Sequence, residues 1–83
     1  MNPDSLIRMA NDIGSFFAGG VTQEEASQGV LSHIKRYWDP RMKKQIVEMY
    51  RADGGEGLRD DARAAVALLA EEQKSAAIPQ KSS

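Results

Sequence analysis

No cysteine occurs in the 83 residues, which excludes disulfides, thiolate nucleophiles, zinc–thiolate sites and cysteine-ligated iron–sulfur clusters from the chain itself. A small domain without such staples is also more typical of the cytosol than of a secreted scaffold. Histidine is nearly as scarce. His33 is the sole one, whereas a metal site needs several converging ligands and a catalytic triad needs a nucleophile and an orienting carboxylate besides. Nothing approaches the run of about twenty apolar residues that crosses a bilayer, and the N-terminal residues have no basic segment followed by an apolar one. A soluble, cytoplasmic protein with no membrane partner is therefore expected. Nor is there an excess of positive charge: eleven basic and twelve acidic residues leave a formal charge of −1, which argues against bulk attraction to nucleic acid.

Size narrows the reading further. One domain of this length buries a smaller fraction of its surface than a larger one does, and a ligand pocket of roughly 300 Å³ or more would be cut from side chains that folding needs. A chain so small and so poor in reactive groups is expected to bind something larger rather than to catalyse alone, and to carry no cofactor or metal of its own.

What is present is helical periodicity. Leu6, Met9, Ala10, Ile13, Phe16 and Phe17 recur at the i, i+3, i+4, i+7 spacing of one helix face. Asn2 can cap that helix, Pro3 suits its first position and Gly19-Gly20 ends it. Gly14 inside it implies a close helix crossing. Thr22-Gln23-Glu24-Glu25 reads as a capping box, with Val21 and Ala26 placed for a hydrophobic staple. The helix it opens has an expected inward stripe of Ala26, Val30, His33, Ile34 and Tyr37 running into Trp38, with Ser27, Leu31 and Lys35 facing away or sideways. Gly29 again suggests close approach. Asp39-Pro40 closes this helix and starts a third, with Met42, Ile46, Met49 and Tyr50 inward. Gly54-Gly55-Glu56-Gly57 stops the third helix, and Leu58 is expected to turn inward. Asp60 or Asp61 can cap a short, alanine-rich fourth helix with Ala62, Ala65, Val66 and Leu69 on one side. No strand or repeat is convincing. The expected fold is all-α: a compact bundle of three to four short helices over residues 1–74, with a flexible C-terminal tail over 75–83.

Two patterns invite a chemical reading. The Gly54–Gly57 stretch lacks the lysine, the following serine or threonine and the preceding strand of a phosphate loop, and Glu56 would repel an anion, so a helix stop is the better reading. Lys35, Arg36, Arg41, Lys43 and Lys44, with Tyr37 and Trp38 among them, have the composition of a small nucleic-acid patch, and two helices joined by a turn echo helix-turn-helix geometry. A solvated charged face and an acidic protein partner are the rival readings.

Tyr37-Trp38-Asp39-Pro40-Arg41-Met42 is the densest stretch of residue types enriched at interfaces. It also reads as a helix junction, Trp38 filling the corner, Asp39 capping and Arg41 pairing with a carboxylate. The candidate partner-binding residues are Phe16, Phe17, His33, Tyr37, Trp38, Arg41 and Met42.

These residues carry a resemblance. Met9-Ala10-Asn11-Asp12-Ile13-Gly14-Ser15-Phe16-Phe17, then Gly29-Val30 to His33-Ile34, Trp38-Asp39-Pro40-Arg41-Met42 and Gly55-Glu56-Gly57-Leu58 occur in order. Together they resemble the delta subunit of soluble, molybdenum-containing, NAD-dependent formate dehydrogenases, from Leu6 to about Leu69. Asp12 stands where that family usually has glutamine, a departure conservative in size at a position expected on the surface. The resemblance implies a small, cofactor-free accessory subunit of a cytoplasmic complex. Its larger subunits would carry the molybdenum cofactor, iron–sulfur clusters, FMN and the NAD site. The partner so implied is the molybdenum-binding catalytic subunit, with assembly or stability as the contribution. A nucleic-acid-binding regulator and a transient assembly chaperone are the alternatives. Spare apolar surface would let the isolated chain pair with itself.

Overall fold

A computed structural model describes residues 2–77, with side chains through residue 73. Four helices follow one another: α1 (Pro3–Phe17), α2 (Gln23–Tyr37), α3 (Pro40–Asp53) and α4 (Asp60–Ala77). No strand occurs among the described residues, so the fold is all-α, as the periodicity implies, and settles at four helices.

Local chemistry sets the boundaries. Asp4 donates its backbone N–H to Asn2 Oδ1 at 2.8 Å, with Pro3 opening α1. Thr22 and Glu25 form the reciprocal capping box at 3.1 Å each way, while Val21 stays 45% exposed and shields little as a staple. Asp39 Oδ1 accepts the Met42 N–H at 3.0 Å, and Gly54 closes α3 in the left-handed region at φ 77°. Such caps satisfy backbone groups that the helix leaves open.

The core is made by Leu6 and Ala10 of α1, Val30, Leu31 and Ile34 of α2, Trp38 at the turn, Ile46 and Val47 of α3, and Leu58, Ala62, Ala65, Val66, Leu69 and Ala70. Met42, Met49 and Tyr50 flank Ile46 as partly buried neighbours. α4 packs against all three other helices, and most extensively against α2.

That arrangement corrects the expected face of α2. Ser27 and Leu31 are buried, whereas Tyr37 is 68% exposed and His33 is only half-buried. α2 is held between α1 and α4, so its inward arc is broader than one stripe and turns toward α4. Burial of Ser27 is cheap because its hydroxyl donates to Glu24 O at 2.9 Å within the helix. α4 departs from expectation too. At 18 residues it is the longest helix and not a short one. Asp60 and Asp61 sit in its first turn rather than at the cap, and the Arg59 carbonyl accepts the Arg63 N–H at 2.8 Å. It continues through Ser75, Ala76 and Ala77, past the expected boundary of the tail. The remainder of that expected tail, 78–83, lies outside the described residues.

Two contacts fix α1 to the start of α4. Asn11 donates from Nδ2 to Gly57 O and accepts the Arg59 N–H on Oδ1, both at 2.8 Å. One amide thereby splints the Gly54–Arg59 connection. One turn further on, Gly14 faces the buried Asp61, which pairs with Arg59 Nε at 3.0 Å. A Cβ on Gly14 would lie 2.5 Å from Asp61 Oδ1, which is the close crossing that a mid-helix glycine implies.

Candidate partner-docking surface

With the core closed, the exposed large apolar side chains mark what the fold does not use. Phe16 is 81% exposed and Tyr37 68% exposed. They belong to one arrangement. The rings of Phe16 and Phe17 meet edge to face with centroids 5.2 Å apart, and His33 and Tyr37 are in tilted contact at 4.7 Å. A cleft of about 290 Å³ is lined by Asp12, Ile13, Phe16, Phe17 and His33, almost wholly by carbon, and Tyr37 adjoins it only through His33.

The local sequence explains why these side chains converge. Asp12 and Ile13 stand three to five residues before Phe16 and Phe17 on α1, so the two pairs meet on one side of its C-terminal half. His33 and Tyr37 are an i, i+4 pair on α2. Phe17 is drawn onto α2 by Gly29, where an added Cβ would lie 2.7 Å from Phe17 Cδ1. Without a side chain at position 29, the Phe17 ring packs against the helix and leaves Phe16 standing outward.

Of the seven candidates, then, Phe16, Phe17, His33 and Tyr37 come together. Trp38 does not join them. It is 5% exposed and part of the core, so it fills the helix corner and offers no ring to a partner. Met42 is half-buried against the same core. Arg41, the second residue of α3, is exposed, and its expected pairing with a carboxylate is not seen among the described residues. Asp12 and Ile13 belong to the surface and were not singled out by residue type. Their i, i+4 relation to Phe16 and Phe17 was the available signal.

The basic cluster is partly engaged. Lys35 pairs with Glu72 at 2.9 Å, both side chains about half exposed, a pair worth little to stability in water. Lys43 donates to Lys35 O at 3.0 Å, where a cation also suits the negative end of α2. Arg36, Arg41 and Lys44 remain exposed. A second cleft of about 610 Å³ lies among α2, α3 and α4 and has a mixed polar lining that includes Glu24, Arg51, Leu68 and Glu71. No group of three or more His, Cys, Asp or Glu residues is placed to hold a metal ion among the described residues.

A family model described as FdsD, NADH-dependent formate dehydrogenase delta subunit, matches residues 5–66. The matched span takes in Asn11 and Gly14, both members of each aromatic pair, and the first turns of α4. No curated protein and no solved structure matches the chain.

Proposed function

The chain belongs to the FdsD family of NADH-dependent formate dehydrogenase delta subunits, and from that membership we propose that it acts as a non-catalytic accessory subunit. In this reading it docks on the larger, molybdenum-binding subunit of a cytoplasmic, NAD-linked complex and supports its assembly, its stability or its cofactor-loaded state. The redox groups belong to the other subunits. No described helix is long and apolar enough to cross a membrane, which is compatible with that setting.

The observation that carries the docking face is the carbon-lined cleft of Ile13, Phe16, Phe17 and His33, with the exposed Tyr37 ring resting against His33 outside it. An aromatic ring left mostly in water contributes little to folding, and aromatic residues around an apolar depression are the usual anchors of protein interfaces. Arg36, Arg41 and Lys44 are exposed on α2 and α3 outside the cleft lining, and such charges can orient a partner. The partial engagement of Lys35 and Lys43 weakens a nucleic-acid reading of the same cluster.

Co-expression with an affinity-tagged catalytic subunit tests the proposal. Phe16→Ser and Tyr37→Ser should leave the isolated chain folded, because both side chains are largely exposed. They should reduce its recovery with the complex about tenfold or more, the effect of removing an interface anchor. Undiminished recovery with both variants would refute this docking face. A stoichiometric copy in the mature, active complex is expected of a retained subunit; its absence there would point to a transient assembly factor.

A further inference from the structure

Asp12 is the single acidic residue bordering the aromatic cleft; the lining is almost wholly carbon, so the Asp12 carboxylate stands beside the depression rather than in it. It is exposed and, among the described residues, enters no ion pair or hydrogen bond. The fold gives it little reason to be acidic. It lies five residues before the end of α1, far from the N-terminal turn where a helix favours negative charge. Arg8 stands four residues before it, the less favourable order for a helical ion pair, and the two form none. An unpaired carboxylate beside a carbon-lined depression is the complement of a particular ligand: an apolar group with a cation next to it.

Building on the docking reading above, we propose that the cleft receives a side chain of the larger formate dehydrogenase subunit in which an apolar residue seats among Ile13, Phe16, Phe17 and His33 while an adjacent lysine or arginine pairs with Asp12. Charge decides for this occupant over a second copy of the chain. A two-fold contact centred on the cleft would bring two Asp12 carboxylates toward the same axis, where like charges repel as they are desolvated. Seating the apolar group displaces water from around Asp12 and strengthens its attraction to the incoming cation. The apolar residue supplies affinity and Asp12 selects the segment that carries the cation.

The experiment uses the co-expressed complex at low and moderate salt, with Asp12→Asn, Asp12→Lys and Phe16→Ser chains compared with the native one. Asp12→Asn, an isostere at an exposed site, should weaken association about tenfold at low salt, as expected for truncating one partner of an interfacial charge pair. It should also flatten the salt dependence. Asp12→Lys should weaken it further. Neither should lower the thermal stability of the isolated chain. Carbodiimide coupling of the native complex should join Asp12 to a lysine of the larger subunit, or fail in favour of an arginine while the Asp12→Lys defect persists. If Phe16→Ser leaves association intact, the docking face itself is wrong. If Phe16→Ser abolishes association but Asp12→Lys associates as well as the native chain, docking stands and the paired cation is refuted. Self-association of the isolated chain that Phe16→Ser abolishes, with docking untouched, would assign the cleft to a second copy and overturn the proposal.

Discussion

Replacement of Gly14 by alanine sets two effects of opposite sign against each other. In a helix interior the exchange gains about 1 kcal/mol of intrinsic propensity. At this position the new Cβ would lie 2.5 Å from Asp61 Oδ1 and 3.1 Å from Asp61 Cγ. The carboxylate has to leave. It is only 5% exposed, sits 3.0 Å from Arg59 Nε and accepts the Ala62 N–H at 2.8 Å. Breaking up a buried pair costs about 3–5 kcal/mol, and the lower end applies because the Arg59 side chain is 39% exposed and keeps its hydration. The balance is a loss of about 2 kcal/mol, or a fall in Tm of roughly 8–16 °C for a domain of this size.

A double-mutant cycle isolates the cause. In an Asp61→Ala background the obstructing oxygen is gone, so Gly14→Ala should now stabilise by about 1 kcal/mol, a coupling near the upper end of what contacting residues show. Urea and thermal unfolding of the four chains, followed by helical circular dichroism, give the needed values. Stabilisation by Gly14→Ala in the native background would refute the reasoning, and so would an equal cost in both backgrounds.

Asn11→Ala removes both hydrogen bonds to the backbone of the Gly57–Arg59 connection and should cost about 2 kcal/mol in urea unfolding, with amide exchange at Arg59 accelerated; an unchanged midpoint would show that the connection holds without its splint. Trp38→Ala should destabilise the isolated chain by about 3–5 kcal/mol, the cost of emptying a large core site; if it leaves stability intact and impairs only association with the larger subunit, the placement of Trp38 in the core is wrong.

What the sequence made legible was mostly what neighbours in sequence decide. Asn2, Thr22–Glu25 and Asp39-Pro40 act on backbone groups a few residues away, so their roles could be read before any packing was known. The contrast between Tyr37 and Trp38 was beyond that kind of reading. Both are interface-prone aromatics at the end of α2, but Trp38 has left the helix, with φ −82° and ψ 140°, so helical spacing no longer says where its side chain points. The length of α4 was obscured because alanine gives a weak hydrophobic signal although it is the strongest helix former. Gly14 announced a crossing without naming Asp61, and Asn11 gave no sign of partners 46 and 48 residues away. The proposed docking surface was legible in its aromatic residues and hidden in Asp12, whose interest comes from lacking an internal partner among the described residues.

With the proposed docking face, α1 keeps folding and binding on different sides of one helix. At about 100° per residue, the order around its circumference runs from Asn11 through Gly14, Ala10, Phe17 and Leu6 to Ile13, Phe16 and Asp12. The first group meets the Gly54–Arg59 connection, the start of α4 and the core. The last group lines the open cleft together with Phe17, and Ile13 and Phe17 are both also packed against the core. Substitutions on the Asn11–Gly14 side act on the folded state directly, whereas those at Phe16 and Asp12 change the surface offered to a partner and leave the bundle nearly untouched. That separation is possible because small side chains bring α1 close to α4, closing the core on one side without drawing Phe16 inward. A variant's effects on stability and on association should therefore follow its angular position on α1 more closely than its distance along the sequence.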